Sequence, residues 1–232
     1  MATLHILSAG AAQAVTERII EAFKRETGAE VSATFGAVGA MKMKMEAGEA
    51  VDVITLTRPM IEELTAAGAV QPGSRIDLGK VGTGVAVRAA LSLPDVSSAD
   101  ALRRAILGAS KLTFPDPATA TAGKVVMRML EKLGVLDDVR ARFELFPNGY
   151  AAMKWLATTS GAELGITQVT EILPNKGVAY AGPLPDEFQM KAVYSAAIAI
   201  RAPAPQLAKD FLARFAAPSA RTLLAQAGFE LD

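Results

Sequence analysis

The chain has 232 residues, 51% of them hydrophobic, with 24 Lys and Arg balanced by 24 Asp and Glu. That is enough apolar residue to bury a sizeable core in one large domain or two small lobes, and the zero net charge offers no general field for nucleic acid or an anionic membrane. The lack of cysteine excludes thiol catalysis, disulfides and Cys-ligated metals, and the single histidine, His5, excludes His-cluster metal sites and argues against a Ser-His-Asp triad.

Leu4 to Leu7 reads as an apolar strand running into the small-residue turn Ser8-Ala9-Gly10-Ala11-Ala12. Ala14 to Arg25 follows as an amphipathic helix with Val15, Ile19, Ile20 and Phe23 on one stripe, closed by Gly28. Glu30 to Phe35 is a second strand, and Gly36-Ala37-Val38-Gly39 a second small-residue turn leading into a helix from Met41 to Ala47. Two such turns expose backbone N–H groups beside a positive helix end, an arrangement suited to a small anion. Asp52 to Thr57 is a strand, Met60 to Ala67 a helix with Pro59 at its start, Gln71 to Lys80 a connecting loop, and Val81 to Val87 another strand.

Ser98 to Ala109 reads as a helix capped by Ser98, Lys111 to Phe114 as a strand ended by Pro115-Asp116-Pro117, and Lys124 to Leu133 as a helix opened by Ala118 to Gly123. Phe143 to Phe146 is a short strand, then Pro147-Asn148-Gly149 turns into a helix from Tyr150 to Ala157. Leu164 to Thr167 is a strand, and Gln168 to Leu173 starts a helical turn. Val178 to Tyr180 and Val193 to Ile200 are strands, and helices over Ala204 to Phe215 and Ser219 to Ala227 close the chain. Alternation of this kind predicts an α/β fold with mostly parallel strands. No apolar run approaches the roughly 20 residues that cross a bilayer, so no direct membrane insertion is expected. Met1 runs almost at once into the first strand. Either the protein is cytoplasmic, or Met1 stands in place of a removed leader and the protein is periplasmic.

Several marks occur together in order: Phe23-Lys24-Arg25-Glu26-Thr27-Gly28, Phe35-Gly36, Met45-Glu46-Ala47-Gly48 before Asp52-Val53, Pro115-Asp116-Pro117 with Thr121-Ala122-Gly123, Leu164-Gly165-Ile166, Phe211-Leu212, and Leu224 to Phe229. Across essentially its whole length the chain resembles type II periplasmic solute-binding proteins of the molybdate-binding kind. The resemblance implies two α/β lobes, one from residues 1–81 with 195–232 and the other from 82–194, with a ligand cleft between them that closes like a hinge. It also implies a monomer without cofactor or metal, binding a small anionic ligand for an ABC importer permease. The ligand contacts it implies are Ser8, Ala9, Gly10, Gly36, Val38 and Gly39 in the first lobe, and Thr121, Ala122, Asn148, Gly149 and Gln168 in the second.

This chain departs from that pattern at the ligand. Molybdate binders of the family place hydroxyls in both first-lobe turns, where this chain has Gly10 and Ala37-Val38-Gly39. They commonly put Tyr where Gln168 stands, and an acidic residue near Arg58. A gained guanidinium and amide suit a carboxylate better than a tetrahedral oxyanion, so an organic carboxylate is the expected ligand and Arg58 joins the contacts. Local roles compete for several of these residues. Ser8 or Thr121 would serve as helix caps, Asn148-Gly149 as a plain turn, and the glycines as turn geometry.

Two other functions fit the same scaffold. Some relatives resemble isomerases of small unsaturated polycarboxylic acids, which move a double bond by proton transfer; Glu171, Lys42 or His5 would then be the base, and nothing in the sequence picks one. A regulatory ligand-binding domain is the third, disfavoured because no helix-turn-helix or basic region is attached.

Overall fold

The computed structural model describes residues 2–231. Along them run β1 (Thr3–Ala9), α1 (Gln13–Thr27), β2 (Glu30–Gly36), α2 (Val38–Glu46), β3 (Val53–Thr57), α3 (Arg58–Ala66), β4 (Ile76–Val81), β5 (Thr83–Arg88), α4 (Ala99–Gly108), β6 (Leu112–Pro115) and α5 (Thr121–Lys132). Then follow α6 (Leu136–Val139), β7 (Phe143–Phe146), α7 (Gly149–Leu156), β8 (Leu164–Gln168), α8 (Val169–Ile172), β9 (Val178–Pro183), β10 (Ala192–Ile198), α9 (Pro205–Ala216) and α10 (Pro218–Ala227). The chain divides into two compact units: residues up to Val81 together with those from Ala192 on, and residues Gly82–Lys191. All of β10, from Ala192, belongs to the first unit.

The first unit holds a sheet in the order β2-β1-β3-β10-β4. Its core sets Leu4, Ile6 and Leu7 of β1 and Val53, Ile54 and Leu56 of β3 against the helices. The apolar stripe of α1 puts Val15, Ile19 and Phe23 inside, and Phe23 meets Phe211 of α9 edge-on at 5.4 Å between ring centres. Burying a Phe such as Phe23 contributes about 2–3 kcal/mol relative to leaving it in water. Gly28 ends α1 at φ 68°, a left-handed conformation that a Cβ would strain.

One buried charge ties this sheet to the closing helices. The Asp52 carboxylate accepts the backbone N–H of His5 at 2.7 Å and that of Ala204 at 2.6 Å. Both oxygens are therefore committed, and Asp52 itself is fully buried. Asp52→Asn turns one acceptor into a donor facing a backbone N–H, so it is expected to cost about 2 kcal/mol. Urea unfolding of the variant checks this; wild-type stability would show that the two contacts are dispensable.

The second unit repeats the arrangement with β7-β6-β8-β5-β9. Leu112 and Phe114 of β6 and Ile166 of β8 pack with Val126, Met129 and Leu130 of α5. Ser98 caps α4 by accepting the Ala101 N–H at 3.3 Å, as its position before the helix predicts.

Several sequence expectations need correction. The sheets are mixed rather than mostly parallel: in each, two pairings are parallel and two antiparallel. Only a crossover helix obliges the next strand to run parallel, and β10 and β5 are not delivered by one from their sheet neighbours. The expected loop 71–80 contains β4, whose Ile76-Asp77-Leu78 alternation is weak because only Leu78 and Val81 are buried. β4 exists because β10 pairs with it. The expected single strand 81–87 is divided at Gly82 between β4 and β5. Helices α2, α3 and α5 each begin two or three residues earlier than their apolar periodicity suggested, directly after a strand or turn.

Candidate functional site

In the first unit, β2, β1 and β3 run parallel, so their C-terminal ends share one edge of the sheet. In an α/β sheet that edge is where ligands bind, because each strand end delivers the N-terminus of the next helix. Ser8 and Ala9 end β1, and Gly10 opens a short 3-10 turn. Gly36 ends β2, Val38 and Gly39 form the first turn of α2, and Arg58 is the first residue of α3. The early helix starts thus place Val38, Gly39 and Arg58 inside first turns rather than in loops.

The side chains at this edge are sparse. Ser8 is fully buried and its hydroxyl donates to the carbonyl of Ala9 at 3.2 Å, so it caps no helix. Gly10, Ala37, Val38 and Gly39 offer backbone only. Arg58 donates through Nη2 to the Asp77 carboxylate of β4 at 2.6 Å, while its Nε is buried with no partner. Ser195 on β10 donates to the other Asp77 oxygen, also at 2.6 Å. Asp77 therefore orients Arg58 and leaves its Nε–H unused. Arg58 and Asp77 line a cavity of about 230 Å³ with Lys80 and Arg221.

In the second unit, β7, β6 and β8 are parallel and deliver α7, α5 and α8 at one edge. Thr121 is the first residue of α5 and Ala122 the second; the cap position is Ala120, so Thr121 does not cap. Asn148 does cap α7, accepting the Ala151 N–H at 2.8 Å. The N-terminus of α7 already holds an internal carboxyl group. Glu171 of α8 accepts hydrogen bonds from the backbone N–H groups of Gly149, Tyr150 and Gln168, and from the Thr167 hydroxyl at 2.6 Å. A Cβ on Gly149 would fall onto Thr167 Oγ1 and Glu171 Oε2, which is why this position needs glycine. Burial without a cationic partner pushes the Glu171 carboxyl up to about 7, with those four donors opposing the rise. Asn148 and Gly149 are thus committed to the helix start and to Glu171, a role their sequence did not reveal.

Gln168 ends β8 and is only 2% exposed, yet neither atom of its amide has a partner. Thr83, its register partner on β5, is fully buried and its hydroxyl is unpartnered too. Buried polar groups are nearly always satisfied, so this pair marks the second unit's edge as unfinished. Thr83 was not foreseen, because its significance depends on the antiparallel pairing of β5 with β8.

Two other candidate residues have different settings. His5 lies four residues before the end of β1, roughly 13 Å along the strand. Lys42 is held by Glu63 at 2.6 Å and Glu46 at 3.5 Å, a hydrogen bond and charges that raise its pKa. Among the described residues no group of acidic and histidine side chains is suited to a metal ion, and no helix is long and apolar enough to cross a membrane.

Residues 4–230 match the model of the bacterial extracellular solute-binding protein family. The chain belongs to that family. Its fold is the type II periplasmic binding fold, and the periplasmic molybdate-binding protein of Azotobacter vinelandii superposes with a TM-score of 0.80 at 21% identity, over 99% of each chain. The sulfate-binding protein SubI of Mycobacterium tuberculosis H37Rv superposes at 0.76 and 19% identity, over 99% of this chain and 86% of that one. In sequence, the chain is 26% identical to an aconitate isomerase from a Pseudomonas species over 98% of its length and 87% of that enzyme. It is 24% identical to the molybdate-binding protein ModA of Escherichia coli K12, over 76% of this chain and 69% of ModA.

Proposed function

We propose that this solute-binding protein takes a small organic carboxylate rather than molybdate, and delivers it in the periplasm to an ABC importer. The observation that carries the reading is the buried, unpartnered amide of Gln168 at a strand-end edge. Planar N–H donors of this kind match the two coplanar oxygens of a carboxylate, and in the first unit the unused Nε–H of Arg58 is a donor of the same kind. Within the first unit the turns at Gly10 and 37–39 offer backbone N–H groups and no hydroxyl, which gives a tetrahedral oxyanion fewer donors there. A match covering 87% of an enzyme named for aconitate supports the same ligand class.

A thermal-shift and calorimetric panel of molybdate, tungstate, sulfate, phosphate, citrate and both aconitate isomers tests this. A carboxylate should raise Tm through linkage, and stabilisation by molybdate alone would overturn the reading. Arg58→Met is expected to weaken the bound carboxylate about tenfold, or about 1.4 kcal/mol, with unchanged circular dichroism. Equal affinity would remove Arg58 from the site.

A second reading is isomerisation of an unsaturated polycarboxylate on the same edge. It is favoured by Glu171, a buried carboxyl poised near neutrality three residues after Gln168. Of the three bases that the sequence left open, Lys42 is tied up in ion pairs and His5 lies away from the edge. NMR of the aconitate mixtures decides the matter: conversion that Glu171→Gln abolishes would make the protein an enzyme, and unchanged ligand would make it a receptor.

A further inference from the structure

We infer that the ligand is a hydroxycarboxylate, read by Gln168 and Thr83 through a hydrogen-bond donor that it carries beside its carboxylate. The inference rests on the carboxylate reading and deepens it. A glutamine amide presents two N–H donors and an acceptor oxygen. In Gln168 both Nε2 and Oε1 are buried without partners. An ion made only of ionised oxygens, such as molybdate, sulfate or aconitate, accepts from Nε2 and leaves Oε1 unpaired. Exchanging the amide's two atoms changes nothing, because one donor and one acceptor remain to be met. A ligand bearing both carboxylate and hydroxyl meets both.

Thr83 supplies the complementary group. It is the direct antiparallel partner of Gln168, so the two side chains leave the sheet on the same face. Its hydroxyl is buried and unpartnered, and it both donates and accepts. The Thr83 backbone is clamped in place. Gln189 accepts its N–H at 3.1 Å and donates to its carbonyl at 2.6 Å. Gln189 Nε2 also reaches the carbonyl of Leu184 at 3.2 Å. The contrast between the two glutamines carries the argument: Gln189 uses both ends of its amide on the protein, and Gln168 uses neither.

Matched pairs of ligands test the inference, with calorimetry on the intact chain: citrate against propane-1,2,3-tricarboxylate, and malate against succinate. The hydroxylated member of a pair should bind at least tenfold tighter. Gln168→Met should bring the two members to equal affinity, mainly by weakening the hydroxylated one, and Thr83→Val should reduce the preference in part. Circular dichroism identifies a variant that fails to fold, and the wild-type comparison stands without any variant. Equal binding within both pairs, or a preference that survives Gln168→Met, would overturn this inference and leave the carboxylate reading intact. Binding of molybdate or sulfate with no carboxylate bound would overturn both.

Discussion

Gly123→Ala is expected to destabilise the protein by about 3 kcal/mol or more, lowering Tm by about 10 °C. Gly123 is the third residue of α5, and a Cβ there would fall onto the carbonyl oxygen of Pro115 and lie 2.7 Å from both N and Cα of Pro117. These are backbone atoms of a loop that cannot yield. Asp116 donates its N–H to Phe146 at 2.8 Å, its carbonyl accepts from Ala120 at 2.9 Å, and its carboxylate accepts from Ala118 at 2.9 Å. Relief would have to come from moving the start of α5, which carries Thr121 and Ala122, so carboxylate affinity should fall with stability. Gly36→Ala is the control. There the new Cβ meets only the flexible end of Met41, at 2.7 Å, and a small change is expected. Calorimetric melting of both variants checks the contrast. A wild-type Tm for Gly123→Ala would mean that α5 is not seated on this loop.

Glu171→Gln is expected to stabilise the protein above neutrality by up to about 3 kcal/mol, and to flatten part of its pH dependence. The folded carboxyl stands near 7 against an ordinary value of 4.5, because burial disfavours its charge. The folded state therefore holds a proton that the unfolded chain has lost between about pH 4.5 and 7, and stability falls as pH rises through that window. Below it both states are protonated and the penalty is absent; above it the penalty is complete. A glutamine has no proton to lose. Its carbonyl oxygen can accept from the backbone N–H groups around it, and its amide group can donate to Thr167 Oγ1. Urea unfolding at pH 5 and pH 8.5 should give similar stabilities for the two proteins at the lower pH and a clear gap at the higher. An identical slope for both would show that Glu171 ionises freely.

Much of the fold was legible along the chain because its signals are local. The α1 stripe of Val15, Ile19 and Phe23 with Gly28 behind it, the Ser98 cap and the Asn148-Gly149 turn each depend on residues a few positions apart. β4 was not legible, since two buried residues in six do not make a strand until β10 lies beside them. Helix starts were misplaced for the same reason. Arg58 and Thr121 lie outside the apolar periodicity of α3 and α5, yet the preceding strand or turn puts them in the first turn.

The candidate site divides in a similar way. Gln168 and Arg58 stood out in the sequence as candidates, because each stands at a strand-to-helix junction and differs from the pattern that the resemblance to molybdate binders implies. What those residues do with their polar atoms was not readable. The Arg58–Asp77 pair spans 19 residues, and the Gln168–Thr83 pairing spans far more of the chain. Sequence alone determined most of the order of elements, the α/β class, the family and the poverty of catalytic groups, all properties of residue type and near spacing. Only the tertiary structure decided which buried groups are satisfied. It set Glu171 against the start of α7, engaged Gln189 with Thr83, and left the amide of Gln168 free. Whether a buried polar atom finds a partner depends on strands and helices brought together from distant parts of the chain, and no local pattern records it.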